Sequence, residues 1–259
     1  MRSVAASFER DGGVGVVVID HGELNLFDEQ MGRELPAAIE EAAASDIRAL
    51  VIRAEGGVFT GGVDVHGFEG LSQSEGAELF DHLVRLVHML EDMELPVIAS
   101  VHGLCLTWGL ELSLGADMIW AAEGAQFGLV ERVVGLTPGA GGTQRMAERA
   151  GPARAREFVM TGGLYPAEML ERWNVINRVL PAGELQAKTM KFAHQLADGP
   201  TVAHAATKKI VRAQVEEGTR GADARIGEYA AALFETEDLQ NAVKSFLKDG
   251  LGKASFEGR

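Results

Sequence analysis

Gln126-Phe127-Gly128-Leu129-Val130-Glu131-Arg132-Val133-Val134-Gly135-Leu136-Thr137-Pro138-Gly139-Ala140-Gly141-Gly142-Thr143-Gln144-Arg145 is the stretch on which the reading of this chain turns. It sets one carboxylate, Glu131, in apolar sequence, where a charge needs a reason to be, and then runs into glycines. A phosphate-cradling loop does not fit them. No Gly-Lys-Ser/Thr follows, and the Gly-x-Gly-x-x-Gly spacing breaks at Gln144. A tight turn that opens a helix is the reading these residues support.

Twenty residues upstream stands a second such carboxylate, Glu111, in Leu106-Thr107-Trp108-Gly109-Leu110-Glu111-Leu112-Ser113-Leu114. Two carboxyl groups in a mostly apolar pocket can take different pKa values, so that one serves as acid and the other as base. That division suits adding or removing water across an activated double bond. A helix starting near Trp108-Gly109 presents free amides at its first turn. Glu111 in that turn is open to a second reading, as a carboxylate complementing the helix dipole. Its neighbours Leu110 and Leu112 speak against a fully solvated face.

Further upstream, Phe59-Thr60-Gly61-Gly62-Val63-Asp64 pairs two glycines. Such a turn reads either as a plain strand-to-helix connection or as a place where the Val63 amide meets a ligand oxygen. Asp81, His82, His88 and Glu91 share one helix without the His-x-x-x-His spacing of a metal face, and read as a solvated polar face. No Gly-x-Ser-x-Gly elbow exists, so serine-hydrolase chemistry has no support.

Around these motifs the chain alternates. Val14–Ile19, Ala49–Ile52, Val97–Val101 and Asp117–Ala122 read as strands. Glu29–Ala44 and Gly76–Leu95 read as helices, the second carrying Leu79, Leu83, Leu86, Val87, Leu90 and Met93 on one stripe. This is the pattern of an α/β layer architecture. From about Gly183 onward only helical patterns remain: Thr201–Gln214, Arg220–Phe234 and Glu237–Lys248. The break near Asp198-Gly199-Pro200 divides the chain into residues 1–197 and a helical region, residues 198–259.

Of 259 residues 46% are hydrophobic, enough for a substantial core, and the formal net charge is −14. That charge disfavours nucleic acid and anionic membrane surfaces as partners. The single Cys105 cannot form an intramolecular disulfide, and its apolar neighbours predict burial. Met1–Arg10 carries no apolar leader core, and no run of eighteen apolar residues occurs, so the expected location is the cytoplasm.

Taken together the motifs resemble the enoyl-CoA hydratase/isomerase (crotonase) superfamily. The likeness rests on Leu24-Asn25, Phe59–Asp64, Val101-His102-Gly103 leading to Glu111, Gln126-Phe127-Gly128 leading to Glu131, and Pro138–Arg145. It implies an α/β spiral of strand-strand-helix turns with a C-terminal helical trimerisation region, hence a homotrimer or homohexamer. The substrate it implies is an acyl-CoA thioester, with coenzyme A entering as part of the substrate and no separate cofactor or metal. By the same resemblance Val63 and Trp108 supply the backbone N–H groups of the oxyanion hole. Glu111 activates water for attack at C3, and Glu131 delivers the proton to C2. Leu24, Gly61, Gly62, Asp64, Val65 and His66 line the thioester pocket, while Lys253 and Phe256 reach the nucleotide end of CoA, commonly across a subunit interface.

Four departures stand out against the family pattern. Trp108 replaces a glycine, which puts an indole beside the thioester; His102 replaces an asparagine; Val130 replaces a proline; and the basic residue near Gly57 is absent. Two glutamates favour hydration of a 2-enoyl-CoA to a 3-hydroxyacyl-CoA. An isomerase using mainly Glu131 and a non-catalytic acyl-CoA binding protein are the alternatives. Trp108, Phe68, Trp173, Phe234 and Phe246 are bulky enough to shape an acyl pocket, with a core role as the default for each.

Overall fold

The computed structural model describes residues 4–259, so Met1-Arg2-Ser3 of the leading segment read above lie outside the described residues. In chain order the first elements are β1 (Ala6–Asp11), β2 (Val14–Ile19), α1 (Glu29–Ala44), β3 (Ala49–Ala54) and α2 (Gln73–Glu91). Then come β4 (Val97–Val101), β5 (Leu104–Leu106), α3 (Trp108–Leu114), β6 (Met118–Ala122), β7 (Gln126–Gly128) and α4 (Gly142–Ala150). The chain continues through α5 (Pro152–Thr161), β8 (Tyr165–Pro166), α6 (Ala167–Arg172), β9 (Arg178–Leu180) and α7 (Leu185–Ala197). It closes with α8 (Thr201–Ala231) and α9 (Glu237–Asp249).

Two sheets wind alongside one another. The larger has the order β1-β2-β3-β4-β6-β9, and the smaller β5-β7-β8. From β2 to β9 every neighbouring pair in the larger sheet is parallel, with β1 antiparallel at the edge. Each coil of the chain gives one strand to the large sheet, one extended segment to the small one, and then a helix. Thus β4-β5-α3 and β6-β7-α4 repeat, and Thr60, bridged in parallel to Cys105, plays the part of β5 between β3 and α2. The expected spiral of strand-strand-helix turns is the architecture observed.

Both faces of the large sheet are covered, which explains the unbroken apolar runs of its strands. Val17 and Ile19 of β2 join Leu50 and Ile52 of β3 in a core closed by Met31, Leu35 and Ile39 of α1 and by Leu83, Leu86 and Leu90 of α2. Val14, Val16 and Val18 face the other way, into a smaller core with Val51, Ile98 and Trp120, closed by Leu185, Ala193 and Ala197 of α7. Burying each Val, Leu or Ile side chain contributes roughly 1.5–3 kcal/mol. A one-residue slip in any central strand would therefore exchange two complete apolar sets.

Helix bounds follow the caps. Asp28 accepts from the Met31 amide at 2.9 Å and starts α1 at the expected residue, with Pro36 carried inside the helix. The expected start of α2 at Gly76 is too late and its expected end at Leu95 too late as well. Ser72 and Glu75 form a reciprocal capping box that begins the helix at Gln73, and Asp92 ends it. α8 takes in the expected Thr201–Gln214 and most of Arg220–Phe234, whose last residues form a 3-10 turn (Ala232–Glu235), and its break falls at Gly218, with φ 75° and ψ 173°. Among the described residues no helix is long and apolar enough to cross a membrane.

Candidate active site

The turn after β3 is fixed by nearly every polar backbone group it has. Thr60 N donates to Leu104 O at 3.0 Å, Gly61 N to Leu24 O at 2.7 Å and Asp64 N to Phe27 O at 2.9 Å. Gly62 N donates to Thr60 Oγ1 at 3.0 Å, and that hydroxyl donates in turn to Asn25 O at 2.8 Å. Of the amides from Thr60 to Asp64, all among the described residues, the Val63 N–H alone has no partner. Gly62 has φ +112°, and a Cβ there would stand 2.8 Å from Thr107 Oγ1, so the position admits glycine only.

α3 begins where expected, at Trp108, and packs directly on that turn. A Cβ at Gly109 would stand 2.0 Å from Thr60 Cγ2. The residue before the helix, Thr107, is held at φ 47° and ψ −122°, with its amide donating to Gly128 O at 2.9 Å and its buried hydroxyl unpartnered. This backbone region is essentially reserved for glycine. The Trp108 indole takes the core position that was its default reading. It is 2% exposed, tilts against Phe27 with ring centroids 5.2 Å apart, and donates from Nε1 to Gly62 O at 2.8 Å.

Glu111 lies in the first turn of α3 and is 2% exposed. Its Oε1 accepts hydrogen bonds from Ala140 N at 2.9 Å and Gly142 N at 2.8 Å. Burial raises its pKa to about 7, against the pull of those two amides and of Arg145. Glu131 opens a single-turn helix, Glu131–Val134. Both of its carboxylate oxygens are buried without a hydrogen-bond partner. Burial, with the negative charge of Glu111 nearby, raises its pKa to about 7 as well. The fold thus brings the two glutamates within electrostatic reach in unlike settings, one oxygen pinned by amides in the first and none in the second.

The other anticipated residues divide into two groups. Leu24, Gly61, Gly62, Asp64, Val65 and His66 gather on one edge of this turn. Leu24 and Val65 are exposed, and Asp64 Oδ1 lies 2.5 Å from His66 Nδ1, which holds the Asp64 carboxyl below its ordinary value. Lys253 and Phe256 lie elsewhere, in a tail that folds back on α9 and Arg48. There Arg48 Nη1 donates to Phe256 O at 2.9 Å, and Asp238 accepts from the amides of Glu257 and Gly258. Phe234 and Phe246 are exposed rather than core, and Trp173 packs against Tyr165 at 5.3 Å.

Several residues of the site gave little sign in the sequence. The glycine-rich run at 139–142 opens α4, as read, but its amides also clamp Glu111, and nothing in residue identity announced that. Arg145 fixes the same helix start through two 2.7 Å hydrogen bonds to Glu91. Glu91 therefore belongs to a structural ion pair, and His82 packs on Phe27 with Nε2 3.0 Å from Gly32 O. The solvated polar face read on α2 is in this respect overturned, because those two side chains meet elements distant in sequence. His102 Nε2 lies 3.0 Å from Gly56 O, and Val130 sits at φ −100°, outside the range of proline.

Comparison with known proteins gives this arrangement a context. The sequence profile described as enoyl-CoA hydratase/isomerase matches residues 9–259. A curated relative, the carnitinyl-CoA dehydratase of Salmonella heidelberg (strain SL476), is 38% identical over 161 residues, 61% of this chain and 62% of the relative, less than two thirds of its length. Among solved structures, an enoyl-CoA hydratase subunit I from Geobacillus kaustophilus HTA426 superposes with a TM-score of 0.89 at 31% identity, covering 99% of each chain. The enoyl-CoA hydratase of Bacillus anthracis, at 23% identity, shares the fold with a TM-score of 0.91 over 98% of this chain and 100% of its own. By this profile, spanning nearly its whole length, the chain belongs to the enoyl-CoA hydratase/isomerase family.

Proposed function

We propose that this protein is a 2-enoyl-CoA hydratase, adding water in syn fashion to give a 3-hydroxyacyl-CoA through an oxyanion-stabilised enolate. The observation that carries the reading is the pair Glu111, buried, and Glu131, half-buried with both carboxylate oxygens covered, each with pKa raised to about 7. At that pKa each group can take or give a proton near neutrality with little driving-force penalty. Glu111, with Oε1 pinned by two amides, holds its carboxylate still and uses it to activate water for attack at C3. Glu131, free of protein partners at both oxygens, hands a proton to C2. The N–H groups of Val63 and Trp108 receive the thioester oxygen as it gains charge, and losing one such donor costs about 10²–10³ in rate. The reverse step, loss of water, uses the same groups, in keeping with a relative named a dehydratase.

Coenzyme A arrives as part of the substrate, and no further cofactor takes part. Residues 198–259 act as a separate helical region that joins subunits into a homotrimer or homohexamer in the cytoplasm. Its exposed Phe234, Phe246, Leu247 and Leu251 support that assignment. There the tail carrying Lys253 and Phe256 reaches the CoA of a neighbouring subunit.

The test follows the loss of enoyl-thioester absorbance with crotonyl-CoA and longer enoyl-CoAs, in the wild type and in Glu111→Gln and Glu131→Gln. Decay abolished in both variants is the expected result. Thioester binding without decay in the wild type would overturn the hydratase reading.

A further inference from the structure

We infer that the Trp108 indole is a positioning residue that aims the Val63 amide at the thioester oxygen, an inference that rests on the thioester reading above. The Gly62–Val63 peptide is planar and trans, so the Val63 N–H points opposite to the Gly62 carbonyl. Whatever holds that carbonyl therefore sets the direction of the N–H.

Two donors hold it. Gly62 O accepts from Phe27 N at 2.9 Å and from Trp108 Nε1 at 2.8 Å, which occupies both of its lone pairs. The need for a clamp comes from the glycines themselves. A peptide that follows Gly61-Gly62 has wide freedom of rotation, because neither residue restricts the backbone with a Cβ. The Phe27 amide is a backbone group that survives any substitution except proline. The indole N–H is the one part of the clamp that a side chain supplies.

The indole is itself immobile. It is 2% exposed, wedged against Phe27, and projects from the first residue of α3. The neighbouring amides Thr60, Gly61, Gly62 and Asp64 are all committed to internal partners, so the clamp orients a single uncommitted donor. Trp108 thereby has two tasks: its own backbone N–H contributes to the oxyanion hole, and its side chain aligns the other N–H.

The test uses the full-length protein and a cinnamoyl-type thioester of coenzyme A, whose absorbance moves to longer wavelength as hydrogen bonds polarise its carbonyl. The variants are Trp108→Phe and, to keep the shape of the ring system, Trp108→benzothienylalanine, which replaces the indole N–H by sulfur. A red shift in the wild type, clearly smaller in both variants at saturating ligand, supports the proposal. With enoyl-CoA, kcat is expected to fall about tenfold while KM stays within about threefold, the split expected when a donor acts mainly in the transition state. An undiminished red shift in both variants overturns the positioning role and leaves the thioester reading standing. Absence of binding or of any red shift in the wild type overturns the thioester reading, and the inference with it.

Discussion

The Gly142 amide donates to Glu111 Oε1 at 2.8 Å, joining two residues 31 positions apart and tying the start of α4 to the first turn of α3. Ala140 N adds a second bond at 2.9 Å to the same oxygen. The contact leaves no room for a side chain: a Cβ at Gly142 would stand 2.8 Å from Glu111 Cγ and 3.0 Å from Oε1. The glycine is required here by the carboxylate it holds.

Gly142→Ala should accordingly damage activity more than folding. Overpacking at such a site costs about 1–3 kcal/mol. Displacing the carboxylate by a fraction of an ångström to an ångström should lower kcat about 10²-fold. Thermal unfolding and enoyl-CoA hydration rates, measured on one preparation, separate the two effects.

The raised pKa values predict the pH dependence of stability. Near pH 6 the native chain keeps protons on Glu111 and Glu131 that the unfolded chain, with carboxyls near 4.5, has lost. Their contribution is therefore fully present below about pH 4.5 and is lost as the pH rises through about 7. For the buried Glu111 the loss is roughly 3 kcal/mol between those limits. Glu111→Gln and Glu131→Gln should flatten the fall of denaturant midpoint between about pH 5 and 8; a slope identical to that of the wild type would contradict this.

Glu91→Ala removes the partner of a nearly buried guanidinium. Arg145, 8% exposed, makes two 2.7 Å bonds to that carboxylate. Stranding the cation should cost about 3 kcal/mol in chemical denaturation. Arg145 already pulls the Glu111 pKa down, and without Glu91 to neutralise it the pull strengthens. The acidic limb of the kcat/KM profile should then move to lower pH.

Thr107→Gly is expected to stabilise the fold. The present backbone, φ 47° and ψ −122°, carries about 1–3 kcal/mol of strain in a non-glycine residue. The hydroxyl it buries has no partner. Against this stands a glycine entropy cost of roughly 0.5–1 kcal/mol. A net gain of about 1 kcal/mol should appear as a raised denaturation midpoint, and a loss of stability would show that the threonine methyl is worth more than the strain.

Much of the fold was legible because its strands and helices are written in local pattern. Val14–Ile19 and Glu29–Ala44 are bounded as their residues suggested, and Pro96 separates α2 from β4 as expected. The short strands β5, β7, β8 and β9, of two or three residues each, carry no periodicity and exist only through pairing with distant partners. The candidate site divides in the same way. Glu111 and Glu131 stood out because carboxylates in apolar sequence are rare, whereas the contacts of Thr107, Ala140, Glu91 and Arg145 with the site exist only once the chain folds.

The sequence by itself thus determined an α/β layer architecture, through hydrophobic patterning, and two carboxylates in apolar surroundings, while motifs a few residues long carried the family resemblance that implied the spiral. Tertiary structure alone decided what holds those carboxylates and where the Trp108 indole goes. Its reason is physical: the decisive hydrogen bonds, Gly142 to Glu111, Trp108 to Gly62 and Arg145 to Glu91, join residues 31, 46 and 54 positions apart. Direction and distance between such residues are set by how helices and sheets pack, and no local propensity encodes them.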